Sequence, residues 1–122
     1  MTNYATVPYL LAIAEQLPGD PALDDLGPLF AAVAAHQAAA MDTEVYGSDR
    51  LKAAALLQVL ARNHALEHSN QLFAWSVAKA FLEANGHQVA GPPKEVAQLV
   101  TDVVDYRLGI RQTALRLRDW TT

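Results

Sequence analysis

A chain of 122 residues, 52% of them hydrophobic, has material for one core and is too apolar for a disordered segment. A net charge of −4 excludes a generic nucleic-acid binder, because phosphate contact needs a concentrated basic surface and Arg107, Arg111, Arg116 and Arg118 are diluted by Asp102, Asp105 and Asp119. The absence of cysteine removes disulfide frameworks, thiolate nucleophiles and cysteine-based metal sites.

No run approaches the roughly 18 apolar residues of a membrane span, and Met1 to Val7 lacks a basic, then apolar, leader pattern. The expectation is one cytoplasmic domain over residues 1–122 with no membrane contact. Alanine and leucine outweigh the β-branched and aromatic residues, so the predicted class is all-α.

Pro8 suits the first turn of a helix whose apolar face, Leu10, Leu11, Ile13, Ala14 and Leu17, ends at Pro18-Gly19. Asp24 or Asp25 is the expected N-cap of a second helix with Pro28 near its start, an inner stripe of Leu29, Phe30, Val33 and Ala34, and an end near Gln37. Residues 38–47 break the pattern and read as a loop or short two-stranded flap. Ser48 then caps a third helix. Its stripe of Ala53, Leu56, Leu57, Leu60 and Ala61 continues by helical spacing to His64, which is expected to face the core.

Ser69 is the predicted cap of a fourth helix over residues 70–85, ended by Gly86. Apolar residues surround most of this helix, and only Ser76, Lys79 and Glu83 form a polar stripe, so it is expected at the centre of a bundle of about six helices. After Gly91-Pro92-Pro93, two more helices fit residues 94–106 and 108–120. His36 and His87 read as structural or surface residues, and Trp75 and Trp120 as packing residues.

The segment Arg62-Asn63-His64-Ala65-Leu66-Glu67-His68-Ser69-Asn70-Gln71 lies between an amphipathic helix and the start of a buried one. The first amides of a helix lack intrahelical partners and carry the positive end of its dipole, so Ser69, Asn70 and Gln71 are candidates for an anion cradle. His64 beside it would be a general base. On spacing alone the alternative stands that Ser69 only caps the helix and His64 is a core histidine.

Here the chain resembles Doc-type members of the Fic family. Their motif runs His-Pro-Phe-x-Asp-Gly-Asn-Lys-Arg, after a helix ending Ala-Arg-Asn and before one ending Leu-Asn-Gly. This chain has Leu60-Ala61-Arg62-Asn63-His64 before and Phe81-Leu82-Glu83-Ala84-Asn85-Gly86 after. Asp25-Leu26-Gly27, the flap-like Thr43 to Gly47 and Leu51-Lys52-Ala53-Ala54-Ala55-Leu56-Leu57 extend the similarity over most of residues 7–118.

The resemblance implies a compact Fic/Doc-like bundle and a toxin-type transferase. Such an enzyme modifies a hydroxyl on a target protein with a nucleotide-derived group and is restrained by an antitoxin-like partner. His64 would be the base, with Glu44 and Tyr46 of the flap lining the pocket and holding the target. The motif departs from the family pattern where the nucleotide is handled. His68 replaces the acidic Mg²⁺ ligand and is a poor ligand for that hard ion. Ser69 replaces glycine, and Gln71 and Leu72 replace lysine and arginine. Standard transfer is therefore expected to be slow or absent.

Two other functions follow from the same residues. His64 and His68 lie four apart and on a helix would share a face, which suits metal-independent acid–base chemistry. Alternatively the chain is a non-catalytic binding protein of the same fold. His64-Ala65-Leu66-Glu67-His68 also matches a His-x-x-Glu-His zinc-peptidase pattern, which requires both histidines on one helix.

Overall fold

The computed structural model describes residues 1–122 and is an all-α bundle of six helices with one two-stranded flap. The helices are α1 (Val7–Glu15), α2 (Gly27–His36), α3 (Asp49–Arg62), α4 (Asn70–Ala84), α5 (Pro93–Val104) and α6 (Ile110–Arg118). Between α2 and α3, β1 (Ala39–Ala40) pairs antiparallel with β2 (Thr43–Glu44), in the register Ala39 with Glu44 and Ala40 with Thr43. None of the helices is long and apolar enough to cross a membrane.

Local chemistry sets most boundaries. Thr6 Oγ1 accepts from Tyr9 N at the start of α1, and Ser48 Oγ accepts from Leu51 N at the start of α3, so each hydroxyl satisfies an amide that the helix cannot. Asp25 Oδ1 accepts from Gly27 N at 2.8 Å and turns the chain into α2, although Leu26 occupies the cap position. Helix α4 closes as a Schellman turn. Gly86 takes φ +90°, its N–H donates to Glu83 O, and His87 N donates to Leu82 O.

The core is one cluster of 25 buried residues drawn from all six helices and the segments between them. Helix α4 packs against α1, α3 and α5, which fits its expected apolar surround, but α3 is enclosed more fully, by α2, α4, α5 and α6. Eight consecutive or near-consecutive side chains of α3, from Lys52 to Leu57 plus Leu60 and Ala61, are buried. The sequence understated this because alanine, which lets neighbouring helices approach closely, carries little hydrophobic weight.

Two polar side chains are sealed inside. His36 accepts at Nε2 from Ala5 N (3.0 Å) and donates from Nδ1 to Val33 O (2.6 Å). Tyr4 and Phe81 stand edge-on to its ring, at 5.4 and 5.5 Å between centroids. Lys52 is only 2% exposed and reaches out to the flap. His87 clasps the end of the chain, with Nε2 2.8 Å from Asp49 Oδ2 and Nδ1 3.1 Å from Thr122 O. Trp75 and Trp120 pack edge to face at 6.1 Å.

Candidate functional site

Helix α3 stops at Arg62 because Asn63 takes an extended conformation (φ −126°, ψ 109°) while its side chain donates to Val59 O. Arg62 anchors this end. Its Nε donates to Val103 O (2.8 Å), its Nη2 donates to Leu108 O (3.1 Å), and its guanidinium lies 3.9 Å from the Tyr106 ring centre. An arginine suits this position because its planar head can donate twice and stack at once.

Residues 63–69 then run as a non-helical loop, laid against the connector between α1 and α2. Leu66 forms an antiparallel bridge with Leu23, and the amides of Asp24 and Asp25 both donate to Ala65 O. Glu67 N donates to Ala22 O, and Glu67 Oε1 accepts from Ala22 N at 2.8 Å. From the inner side Asn70 completes the brace. Its Oδ1 accepts from Ala65 N (3.1 Å) and Leu66 N (3.0 Å), and its Nδ2 donates to Leu66 O (2.9 Å). The Asn70 amide is buried and fully engaged with the loop, so an anion would meet its backbone N–H rather than its side chain.

His64 is exposed. The expectation that it faces the core fails because the helix ends two residues earlier, and helical spacing no longer governs its direction. The same break removes two readings that required a helix. His64 and His68 do not occupy one helical face, and the His-x-x-Glu-His segment is not the helical metal site of a zinc peptidase. His68 is turned instead to its own surroundings. Its Nδ1 lies 2.8 Å from Ser69 Oγ and its Nε2 3.8 Å from Glu67 Oε1. Its ring lies against Gly19, where a Cβ would come within 3.2 Å of Cε1. These residues do not fit a Mg²⁺ site, since His68 presents imidazole nitrogens rather than carboxylate oxygens and Glu67 already accepts from Ala22 N.

Ser69 holds the N-cap position of α4, but it is left-handed (φ 65°, ψ 27°) and its hydroxyl caps no amide. The expected capping role is therefore overturned. An extended backbone lets a serine reach the N2 or N3 amide, and the left-handed one turns the side chain toward His68. The amides of Asn70, Gln71 and Leu72 at the first turn consequently meet no protein acceptor. A side chain at positive φ is strained by about 1 kcal/mol, which glycine would avoid. We expect Ser69→Gly to hold or raise the melting temperature by a few degrees despite its greater chain entropy. A clear fall in a thermal melt would show that the serine is not strained.

The flap does not join this loop. Lys52 ion-pairs with Glu44 and donates from Nζ to Tyr46 O at 2.7 Å, while Tyr4 Oη donates to the same Glu44 carboxylate. These contacts gather at the N-terminal end of α3, and Arg62 lies ten positions beyond Lys52, about 15 Å along the axis. Glu44 and Tyr46 are thus not brought beside His64. The Lys52 ammonium beside it holds the Glu44 carboxyl below its usual range. Tyr46 instead borders a hollow of about 510 Å³ shared with Val45, Leu51, Gln58, Ile110 and Arg111.

Sequence reasoning missed the roles of Lys52 and of Ala22 to Asp25. The pairing of the connector with the loop is made by main-chain atoms 40 or more positions apart, which no local pattern encodes.

No family profile matches the chain. Over 72 residues it is 49% identical to the Toxin Doc of Mycolicibacterium smegmatis, a match that covers 59% of this chain and 55% of that protein. In that alignment the chain spans about half the length of the curated relative.

Proposed function

We propose that this chain is a Doc-type toxin that acts on a protein target through the loop around His64 and is restrained by an antitoxin-like partner. The observation that carries the proposal is the 49% identity over 72 residues to a protein named Toxin Doc. The local geometry supports it. An exposed imidazole follows the end of α3, on a braced loop that leads into three unpartnered amides at the start of α4.

In this reading His64 accepts the proton of a target hydroxyl as its oxygen forms a bond to phosphorus of a nucleotide, and the remaining phosphate portion departs with the bond's electron pair. The amides of Asn70, Gln71 and Leu72 stabilise the phosphoryl oxygens. Gln71 and Leu72 supply no positive charge, so turnover is slow compared with a site that has cations at both positions.

The test is induced expression in a bacterial host together with transfer of labelled phosphate or AMP to lysate proteins. We expect growth arrest and labelling, with His64→Ala reducing label by about a hundredfold or more. Equal labelling by parent and variant would remove His64 as the base. A second reading, non-catalytic binding, is favoured by one observation: the Asn70 side chain is consumed inside the fold, and no cation stands at the first turn of α4. It predicts growth arrest that survives His64→Ala, with no label in either case.

A further inference from the structure

A groove of about 450 Å³ runs beside α4 and is walled on its far side by the start of α5. This volume falls in the range of small-molecule sites, roughly 300–1,000 Å³. Gln71, Trp75 and Lys79 line it at successive four-residue steps of α4, so their side chains share one face at spacings of about 6 Å. Val96 and Val100 supply the opposite apolar wall. Lys79 is half-buried and forms no ion pair or hydrogen bond within the protein.

The aromatic wall is preformed. Trp75 is fixed edge to face against Trp120, and Trp120 and Val96 press so closely on Gly91 that a Cβ there would lie 2.6 Å from Val96 Cγ2. An unpaired cation beside a fixed aromatic surface in a mainly apolar groove calls for a ligand of matching character. We infer that this groove binds a small molecule with a flat ring and one anionic group about 6 Å from it, the ring against Trp75 and the anion at Lys79. Gln71, one step beyond Trp75 in the other direction, is placed to hydrogen-bond a polar substituent on the ring. The anion is what separates this site from a nonspecific apolar patch, because it satisfies an ammonium that the fold leaves without a partner.

The test titrates indole-3-propionate into the full chain while backbone amide resonances are followed, with indole-3-propionamide as the uncharged control. Saturable shifts are expected at Trp75, Lys79 and Val96, with the amide binding about tenfold or more weakly. Lys79→Met should bring the carboxylate down to the affinity of the amide. Ala97→Trp, at an exposed position on the groove's lip, should block both ligands while circular dichroism stays unchanged. Equal affinity for the two ligands, shifts centred away from this face, or carboxylate binding unaffected by Lys79→Met would each overturn the assignment.

Discussion

Asn70→Ala is expected to destabilise the protein by about 3–4 kcal/mol and to lower its melting temperature by about 10 °C or more. The side chain is 6% exposed and satisfies Ala65 N, Leu66 N and Leu66 O, two residues that are themselves buried. Truncation leaves two amide donors and a carbonyl without partners, and each buried orphan costs about 1–3 kcal/mol before relaxation. With total stabilities of about 5–15 kcal/mol, this is a large share. Asn70→Asp keeps the acceptor for both amides but replaces the donation to Leu66 O with a buried carboxylate oxygen facing it, so it too should fall below the parent. Chemical denaturation of the three proteins checks the order. A loss under 1 kcal/mol for alanine would mean that the loop is held by its pairing with residues 22–25 alone.

The second large effect is a loss of stability in mild acid that traces to His36. Burial pushes its imidazole below the ordinary value of 6.5, and the nearby Lys52 charge adds to this against the opposing influence of the Val33 carbonyl. Geometry explains the preference for the neutral ring: Nε2 must accept from Ala5 N, and a proton there would set two donors against each other. The unfolded chain therefore binds a proton at this residue before the folded one does. Stability from His36 is fully present above about pH 6.5 and falls as the pH drops below it, by at most about 1.4 kcal/mol per unit until the folded value is reached.

Denaturation at intervals from pH 7.5 to 5 should show this decline. His36→Phe should cost about 1–3 kcal/mol at pH 7, because Ala5 N loses its acceptor, but the gap from the parent should close in acid. Parallel curves for the two proteins would assign the acid sensitivity elsewhere.

What the sequence made legible was the periodic part. Six helices, the Ser48 cap, the Gly86 terminator and a two-stranded flap all follow from rules that operate within a few residues. The direction of His64 did not follow, because periodicity predicts a side chain only as far as the helix runs, and Asn63 ends it. Ser69 was assigned a capping role from residue type, whereas its function depends on a positive φ set by the turn into α4. His36 and Lys52 have polar types that usually mark a surface, yet both are buried because each meets a specific partner distant in sequence. Periodicity placed the loop between α3 and α4, whereas the flap residues Glu44 and Tyr46, which the resemblance put at the pocket, are engaged by Lys52 at the other end of α3.

The bracing of residues 63–69 has an evolutionary corollary. The contacts that hold the loop use main-chain groups of residues 22–25 and 65–67 together with two side chains, Glu67 and Asn70. His64, His68, Gln71 and Leu72, where chemistry would be decided, are exposed and take little part in that bracing. The frame and the exposed positions are therefore separable in this protein: the exposed side chains can be exchanged without disturbing the bracing that presents them. A socket of this kind lets the exposed positions tolerate substitution while the fold that presents them stays intact.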